Sequence, residues 1–263
     1  MKNKKVKIIV IYILIILTIT SLSITMVILV NKEKLNTTET TYYNGLPIYY
    51  NHASYAYDTS TPEKAIGASD YTFVAKVNGI IRTEYRNPVE MEVNKDGTKT
   101  QIVSDPYTIY DVTVIKNIKG NLITTQNIEV EQIGGITQDG KSYVFLEDTK
   151  LLTIGDYYIL LAFVPFEKGT LQINNPDTIL SLGTITELDT TKAIDTIISA
   201  NSSSEIKSKT DSVIENVKVN SKIIKKVSTY KNAYLKQIIP DGISTESKKT
   251  VYNKSIYDIS YNQ

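Results

Sequence analysis

The segment Tyr107-Thr-Ile-Tyr-Asp-Val-Thr-Val-Ile-Lys116 is the clearest indicator of fold class in this 263-residue chain. β-Branched and aromatic residues fill it, and such residues favour strands over helices. Side chains alternate between the two faces of a strand, so Tyr110, Val112 and Val114 share one face. The pattern therefore predicts a strand with one buried face inside a β domain.

Further short strands are predicted on both sides of this segment, separated by turn residues. They cover Tyr71–Val77, Asn127–Ile133, Lys141–Leu146, Tyr157–Val164 and Thr170–Ile173. The chain from Arg82 to Asp105 is polar, with a turn at Asp96-Gly97, and no strand is predicted there. Short strands punctuated by turns in this way predict a mainly β fold, a small β-barrel.

Helices are predicted at both ends of this β region. Thr61 and Pro62 are typical of a helix start, and Gly67 of its end after little more than one turn. A short helix is predicted over Thr191–Ala200, and a longer one from Asp211 to about Ile239. The longer helix has one apolar face beside several lysines, formed by Ile223, Val227, Tyr230, Tyr234 and Ile238.

The basic face of that longer helix leaves two interpretations open. It would either lie on an anionic membrane or wall polymer, or dock on the barrel. Residues 201–263 carry 11 Lys against 6 acidic residues, whereas residues 31–200 carry 14 Lys and Arg against 22 acidic residues. Opposite net charges on one chain attract, so docking is the favoured interpretation.

The N-terminal sequence predicts the cellular location of the protein. Ile8–Val30 is an uncharged, apolar run that is long enough to span a hydrocarbon core of about 30 Å. Lysines at positions 2, 4, 5 and 7 precede it, which places the N-terminus on the cytoplasmic side. We expect a single-pass cell-membrane protein with its C-terminal domain outside the cytoplasm; the alternative is secretion after signal cleavage.

This interpretation divides the chain into six parts. They are a basic cytoplasmic tail (1–7), a transmembrane anchor (8–30), a Tyr- and Thr-rich stalk (31–61), the barrel (62–188), a helical segment (189–240) and a tail (241–263).

Composition excludes several classes of site. The chain has no Cys and a single His, which rules out thiol nucleophiles, zinc–thiolate sites and paired-histidine metal sites. Its formal net charge is +1, so the strongly basic field of a nucleic-acid-binding protein is missing. We expect no cofactor, no metal and no nucleic acid, and we assign no catalytic residue.

Two short motifs imitate ligand-binding loops. Gly135–Ser142 fits the phosphate-loop pattern, but the residues after Ser142 prefer a strand where that loop needs a helix, and Asp139-Gly140 is typical of a hairpin turn. We therefore expect no nucleotide. Glu92–Gly97 resembles the front of a calcium loop but lacks the bidentate glutamate at the twelfth position, which is Val103.

Two residue sets remain as catalytic candidates. Glu129 and Glu131 share one strand face, and paired carboxylates are the machinery of glycoside hydrolysis. The more ordinary expectation is that both face solvent, opposite Ile128, Val130 and Gln132. His52 stands in a Tyr-rich segment with no nucleophile elbow in the sequence, and we expect it to be structural or exposed.

Three segments together resemble the netrin-like barrels that include the tissue inhibitors of metalloproteinases and exported bacterial proteins. They are Ala68–Val77, Tyr107–Gly120 and Leu152–Ala162, with an aspartate before a strand, a strand ending in Lys-Gly, and a glycine before an apolar strand. The resemblance implies an OB-like Greek-key barrel over residues 65–175. Those inhibitors chelate zinc through an N-terminal cysteine, which this chain lacks, so no functional residue carries over.

The sequence thus predicts a membrane-anchored, extracytoplasmic, non-catalytic binding module for a protein or an anionic surface polymer. The alternatives are a carboxylate-based hydrolase of cell-wall glycan and a structural component of a membrane complex.

Overall fold

Nine strands and four helices form the described part of the chain in a computed structural model that covers residues 41–92, 100–164, 170–173, 176–185, 188–216 and 220–241. The strands are β1 (Tyr42–Tyr43), β2 (Leu46–Asn51), β3 (Tyr71–Glu92), β4 (Thr100–Lys119), β5 (Asn127–Ile136), β6 (Tyr143–Leu146), β7 (Tyr157–Ala162), β8 (Leu171–Gln172) and β9 (Ile179–Gly183). The helices are α1 (Pro62–Ala68), α2 (Leu188–Ile198), α3 (Ser203–Asn216) and α4 (Ser221–Leu235). The fold is mainly β, as the sequence predicts.

Eight of these strands form one curled sheet in the order β1-β2-β6-β5-β4-β3-β7-β9. Its centre is the long antiparallel pair β3–β4, which β7 and β5 flank. β8 lies outside this path and runs parallel to β5, with Leu171 opposite Val130. Phe163, just after β7, forms an antiparallel bridge with Gln172 of β8. The two sides of the curl therefore meet through β8.

Irregular pairing curls the central strands. The β3–β4 register shifts at five places, three of them after Val77. Each extra residue on one strand bends it and increases its twist. Beyond Lys76 the described residues pair β3 with no strand other than β4, and β4 in turn pairs with β5 only from Tyr107 to Thr113. The part of the hairpin before Tyr107 on β4 therefore projects from the sheet.

Apolar side chains on the inner face of the curl form one core. Phe73, Ala75 and Val77 of β3 meet Tyr110, Val112 and Val114 of β4, and all six are fully buried. Tyr71 is partly buried against the same core. The alternation predicted from the sequence is confirmed for both strands, because one buried face imposes the period of two.

The four helices cover the outer face of the sheet and form a second core. Ile224 and Val227 of α4 pack in one cluster with Val74 of β3 and Ile159 and Leu161 of β7. Docking of the basic helix on the β-sheet is thereby observed. Apolar side chains form this contact. Between sheet and helices the described residues also include the pair of Lys116 on β4 with Asp195 on α2, in which the basic partner is on the sheet.

The prediction of one helix from Asp211 to Ile239 is wrong. The structure has α3 and α4 in its place, and the Asn220 side chain starts α4 by accepting hydrogen bonds from the backbone N–H groups of Lys222 and Ile223. Asn in this position supplies an acceptor that the first turn of a helix needs. The apolar face of α4 is confirmed for Ile223, Val227 and Tyr230.

Strands also form in two segments where the sequence predicts none. Residues 82–92 and 100–105 extend β3 and β4, so the polar stretch from Arg82 to Asp105 is a hairpin within its described part. The described part of the 31–61 segment contains β1 and β2, and β2 pairs in parallel with β6. The Tyr43 ring packs edge-on against the rings of Tyr143 and Phe145.

No helix among the described residues combines the length and the apolar character that crossing a bilayer requires. The predicted anchor at residues 8–30 lies outside the described residues.

The helix start at Thr61 is confirmed, because Thr61 caps α1 and Pro62 occupies its first position. Gly67 lies in this helix, and the chain that follows α4 crosses directly over it. Ile238 donates its backbone N–H to the carbonyl of Glu63 at 3.0 Å, and the Ile238 carbonyl lies where a Cβ at residue 67 would stand. Any side chain at residue 67 would therefore displace this crossing segment.

We predict that Gly67→Ala lowers the free energy of unfolding by about 1–3 kcal/mol, the usual cost of overpacking. The matched control is Gly79→Ala, since a Cβ there meets nothing within 4 Å; its effect should stay within about 0.5 kcal/mol. Chemical denaturation of both variants measures this. Equal effects would contradict the assigned crossing.

Candidate functional site

Arginines of β3 hold the two glutamates that the sequence singles out on β5. Arg82 donates two hydrogen bonds to the Glu129 carboxylate, at 3.0 and 2.9 Å. Arg86 likewise binds both oxygens of Glu131, and Glu84 accepts hydrogen bonds from both arginines. We call these five residues (Arg82, Glu84, Arg86, Glu129 and Glu131) the Arg–Glu cluster.

Strand geometry explains the cluster. Residues two apart on a strand share a face, so Arg82, Glu84 and Arg86 form one row on β3 and the glutamates another on β5. Ile109 of β4 lies between the rows, since it pairs with Arg82 on one side and Glu131 on the other. Ile109 is fully buried although it belongs to neither core. Its two direct cross-strand neighbours, Arg82 and Glu131, both belong to the cluster.

The expectation that both glutamates face solvent is wrong for Glu131, which is 1% exposed. A buried carboxylate requires a charged partner and further hydrogen bonds. Arg86 supplies the charge, and the Gln172 side chain of β8 donates a further bond to Glu131 at 2.8 Å. Gln132 is buried on the opposite face, as expected, and Ile128 and Val130 lie in the inner core.

The cluster also fixes the protonation state of its arginines. Hydrogen bonds to Glu131 raise the pKa of the Arg86 guanidinium above its usual value, and those to Glu129 do the same for the pKa of Arg82. The Arg86 guanidinium lies over the Tyr107 ring, 4.3 Å from its centroid. Stacking and bidentate pairing together hold the side chain in one orientation.

A second polar group continues this face of the sheet. Asn78 and Asn127 both donate to Asp111 and both share hydrogen bonds with Thr113, at 2.8 to 3.3 Å. These side chains come from three neighbouring strands, so they join β3, β4 and β5 across an exposed surface. The outer face of these strands is thus polar and already hydrogen-bonded.

This arrangement disfavours hydrolysis by Glu129 and Glu131. Glycoside hydrolysis needs one carboxylic acid that donates a proton and a second carboxylate across a cleft. Here both oxygens of each glutamate accept hydrogen bonds from an arginine, so neither carboxyl is free to serve a substrate in this arrangement. The cluster acts as a brace between β3 and β5.

The end of the β3–β4 hairpin presents a different surface. We call residues 86–92 of β3 and 100–105 of β4 the ribbon, because neither β7 nor β5 pairs with them. Val89 and Val103 are cross-strand partners and are 58% and 41% exposed. Val103 lies four residues before Tyr107 on β4 and so shares its face, and the bulge between Arg86 and Val89 keeps both of these β3 residues on that face too.

The other candidates that the sequence suggested lie elsewhere. The Gly135–Ser142 motif is the turn between β5 and β6, where Gly140 donates its N–H to the Thr137 carbonyl; the predicted hairpin is confirmed. His52 is exposed and its Nδ1 lies 2.9 Å from a Glu147 oxygen. In the Glu92–Gly97 motif, residues 93–97 lie outside the described residues.

Within the described ranges, no group of three or more acidic or histidine side chains is placed to hold a metal ion. No protein-family profile and no curated protein matches this sequence.

Sequence reasoning missed the arginines. Arg82, Glu84 and Arg86 alternate with Thr83 and Tyr85, which is the period of a strand with one charged face. The available signal was the alternation of opposite charges at every second residue of this segment. Such a row can pair with the carboxylates of Glu129 and Glu131 on a neighbouring strand.

We predict that Arg86→Met lowers the free energy of unfolding by about 3–5 kcal/mol, because Glu131 is left buried without its counter-charge. Arg82→Met is the control, and it should cost at most about 1 kcal/mol since Glu129 is partly hydrated. Both values come from urea denaturation.

The double variant Arg86→Met/Glu131→Met tests the cause. It should recover most of the loss, because an apolar pair leaves no buried charge. A double variant as unstable as Arg86→Met alone would contradict the assigned ion pair.

Proposed function

We propose that this chain is a non-catalytic binding module that presents the ribbon and the adjoining face of β4 and β5 to a protein partner. The exposed apolar pair Val89–Val103, on a strand pair that projects beyond the sheet, carries this proposal. Apolar side chains surrounded by charged ones are typical of protein interfaces.

The finer fold assignment belongs to the same proposal. Five strands follow one another around the curl in the order β3-β4-β5-β8-β7, with β8 inserted between β5 and β7. This non-sequential order supports an OB-like Greek-key barrel, which the netrin-like resemblance also implies. In OB barrels the second and third strands form the binding face. By that analogy, β4 and β5 of this chain would do so.

The partner would contact side chains rather than extend the sheet. The free edge of β3 carries Pro88, which has no N–H to donate, and bulges beside Val77 and Arg86. Charged residues Arg82, Arg86 and Glu90 stand along it as well. These features protect strand edges against pairing with another strand. The exposed face of the ribbon remains available.

The Arg–Glu cluster supports this role by bracing the base of the ribbon. A surface that is rigid before binding loses less conformational entropy when the partner arrives. The alternatives, a hydrolase of cell-wall glycan and a structural component of a membrane complex, rest on no comparable observation in the described residues.

Location outside the cytoplasm is part of the proposal and depends on the run at residues 8–30. We predict that the intact chain stays in the membrane pellet after alkaline carbonate washing, because an apolar helix of this length does not leave the bilayer. A mature chain that starts near residue 30 in the culture fluid would contradict the anchor.

The ribbon is tested by photocrosslinking in cells that make the full chain. A photoreactive residue at Val103 should give one dominant protein adduct, whereas the same residue at Lys207, exposed on α3, should not. Adding Val89→Asp to the variant that is photoreactive at position 103 should reduce that adduct at least about tenfold, because a charge then enters the apolar contact.

Ile123→Asp is the matched control for the added charge, since Ile123 is equally exposed but lies in the turn after β4. The adduct should be unchanged in that variant. Equal adducts from positions 103 and 207, or an adduct insensitive to Val89→Asp, would exclude the ribbon as the binding surface.

A further inference from the structure

A second candidate site lies at one end of the inner core, where residues 149–156 connect β6 to β7. Buried polar groups hold this connection in place. The Tyr110 hydroxyl accepts a hydrogen bond from the Leu152 N–H at 3.1 Å and donates to Gln132 at 3.3 Å. Gln132 in turn donates to the Lys150 carbonyl at 2.8 Å. The hydrogen-bonding capacity of Tyr110 is therefore used within the fold.

Tyr158 is placed similarly but keeps an unused donor. Its side chain is 6% exposed, and its hydroxyl accepts a hydrogen bond from the Thr153 N–H at 2.9 Å. A phenol also carries one proton to donate. Among the described residues no acceptor receives that proton, and buried tyrosine hydroxyls usually have a partner.

A cleft of about 310 Å³ is lined by Tyr158 and by Thr153, the residue whose N–H donates to the Tyr158 hydroxyl. Its lining includes Tyr43, Lys150, Thr153, Asp156, Tyr158 and Ser181. The volume is at the lower end of the range for small-molecule sites, which combine aromatic walls with a few placed polar groups. Burial is the main cause of the raised pKa of the Tyr110 hydroxyl, and the nearby Tyr43 contributes to it.

The charged side chains that line the cleft indicate the chemistry of the ligand. Lys150 is exposed and has no ion-pair partner among the described residues, so its ammonium can meet an anion. Asp156 accepts a hydrogen bond from Thr184 at 2.8 Å and keeps further acceptor capacity. A ligand that satisfies both sides carries an acidic group together with hydroxyl donors.

We propose that this cleft binds a sugar acid, a polyhydroxylated ring with one carboxylate. Lys150 and the Tyr158 O–H bind the carboxylate. Asp156 and Ser181 accept hydrogen bonds from the ring hydroxyls, and Tyr43 contributes an aromatic wall. Hydrogen bonds to a charged group contribute more than neutral ones, so the carboxylate dominates recognition.

This inference is independent of the ribbon, because Val89 and Val103 do not line the cleft. The probe is D-glucuronate added to the full-length chain in detergent, with D-glucose as the neutral analogue, and calorimetry measures saturable binding. We expect binding of D-glucuronate and at least about tenfold weaker binding of D-glucose.

Tyr158→Phe removes the donor and keeps the ring, and it should weaken D-glucuronate binding about tenfold or more. Because it also removes the acceptor of the Thr153 N–H, urea denaturation of this variant must show a folded chain. Lys150→Gln should weaken it severalfold without disturbing the fold, since this side chain is exposed. The matched controls are Tyr49→Phe and Lys141→Gln, whose side chains are exposed and outside the cleft; both should bind as the unchanged chain does.

Absence of saturable binding, equal binding of D-glucose, or unchanged binding by Lys150→Gln would each overturn the proposal. Tighter binding of the zwitterion D-alanine than of D-glucuronate would overturn the assignment to sugar acids, because the cleft would then select an ammonium group for Asp156.

Discussion

The pairing of β3 with β4 supports everything else in this structure. The first part of β3 is buried on both faces: Phe73 and Ala75 point into the inner core, and Val74 points into the helical layer. Apolar burial on both sides of one strand couples the two cores, because neither can open without exposing the other. The same pair then continues past the sheet as the ribbon, so the projecting surface has a rigid base.

Along β3, ion pairs follow the stretch whose two faces are covered by apolar side chains. Beyond Val77, the Arg–Glu cluster joins β3 to β5, and the fully buried Ile109 of β4 lies between its two rows. Buried ion pairs contribute little net stability, but they tolerate only one geometry. The Arg–Glu cluster thereby joins the base of the projecting hairpin to β5 through hydrogen bonds. The cleft near Tyr158 lies at the end of the inner core and is independent of this brace.

Local pattern predicted most of the elements, and long-range pairing decided the rest. The strands at Tyr71–Val77 and Tyr107–Lys116 were predictable because each has one buried face with a period of two. Residues 82–92 were missed since the face of Arg82, Glu84 and Arg86 is charged where a buried strand would be apolar, and its partners lie on β5. The split between α3 and α4 was missed because Asn also occurs inside helices, so Asn220 alone does not mark a helix start. The brace itself was not predictable, as Arg86 and Glu131 are 45 residues apart and meet only through the sheet.

Amide hydrogen exchange on the full chain is the sharpest test of the coupling between the two cores. If β3 and β4 join them, the amides of Val74, Val112 and Ile224 open with one common free energy, equal to that of global unfolding. We expect this single value. Exchange of the α4 amides through a separate opening of much lower free energy, while β3 and β4 stay protected, would contradict it.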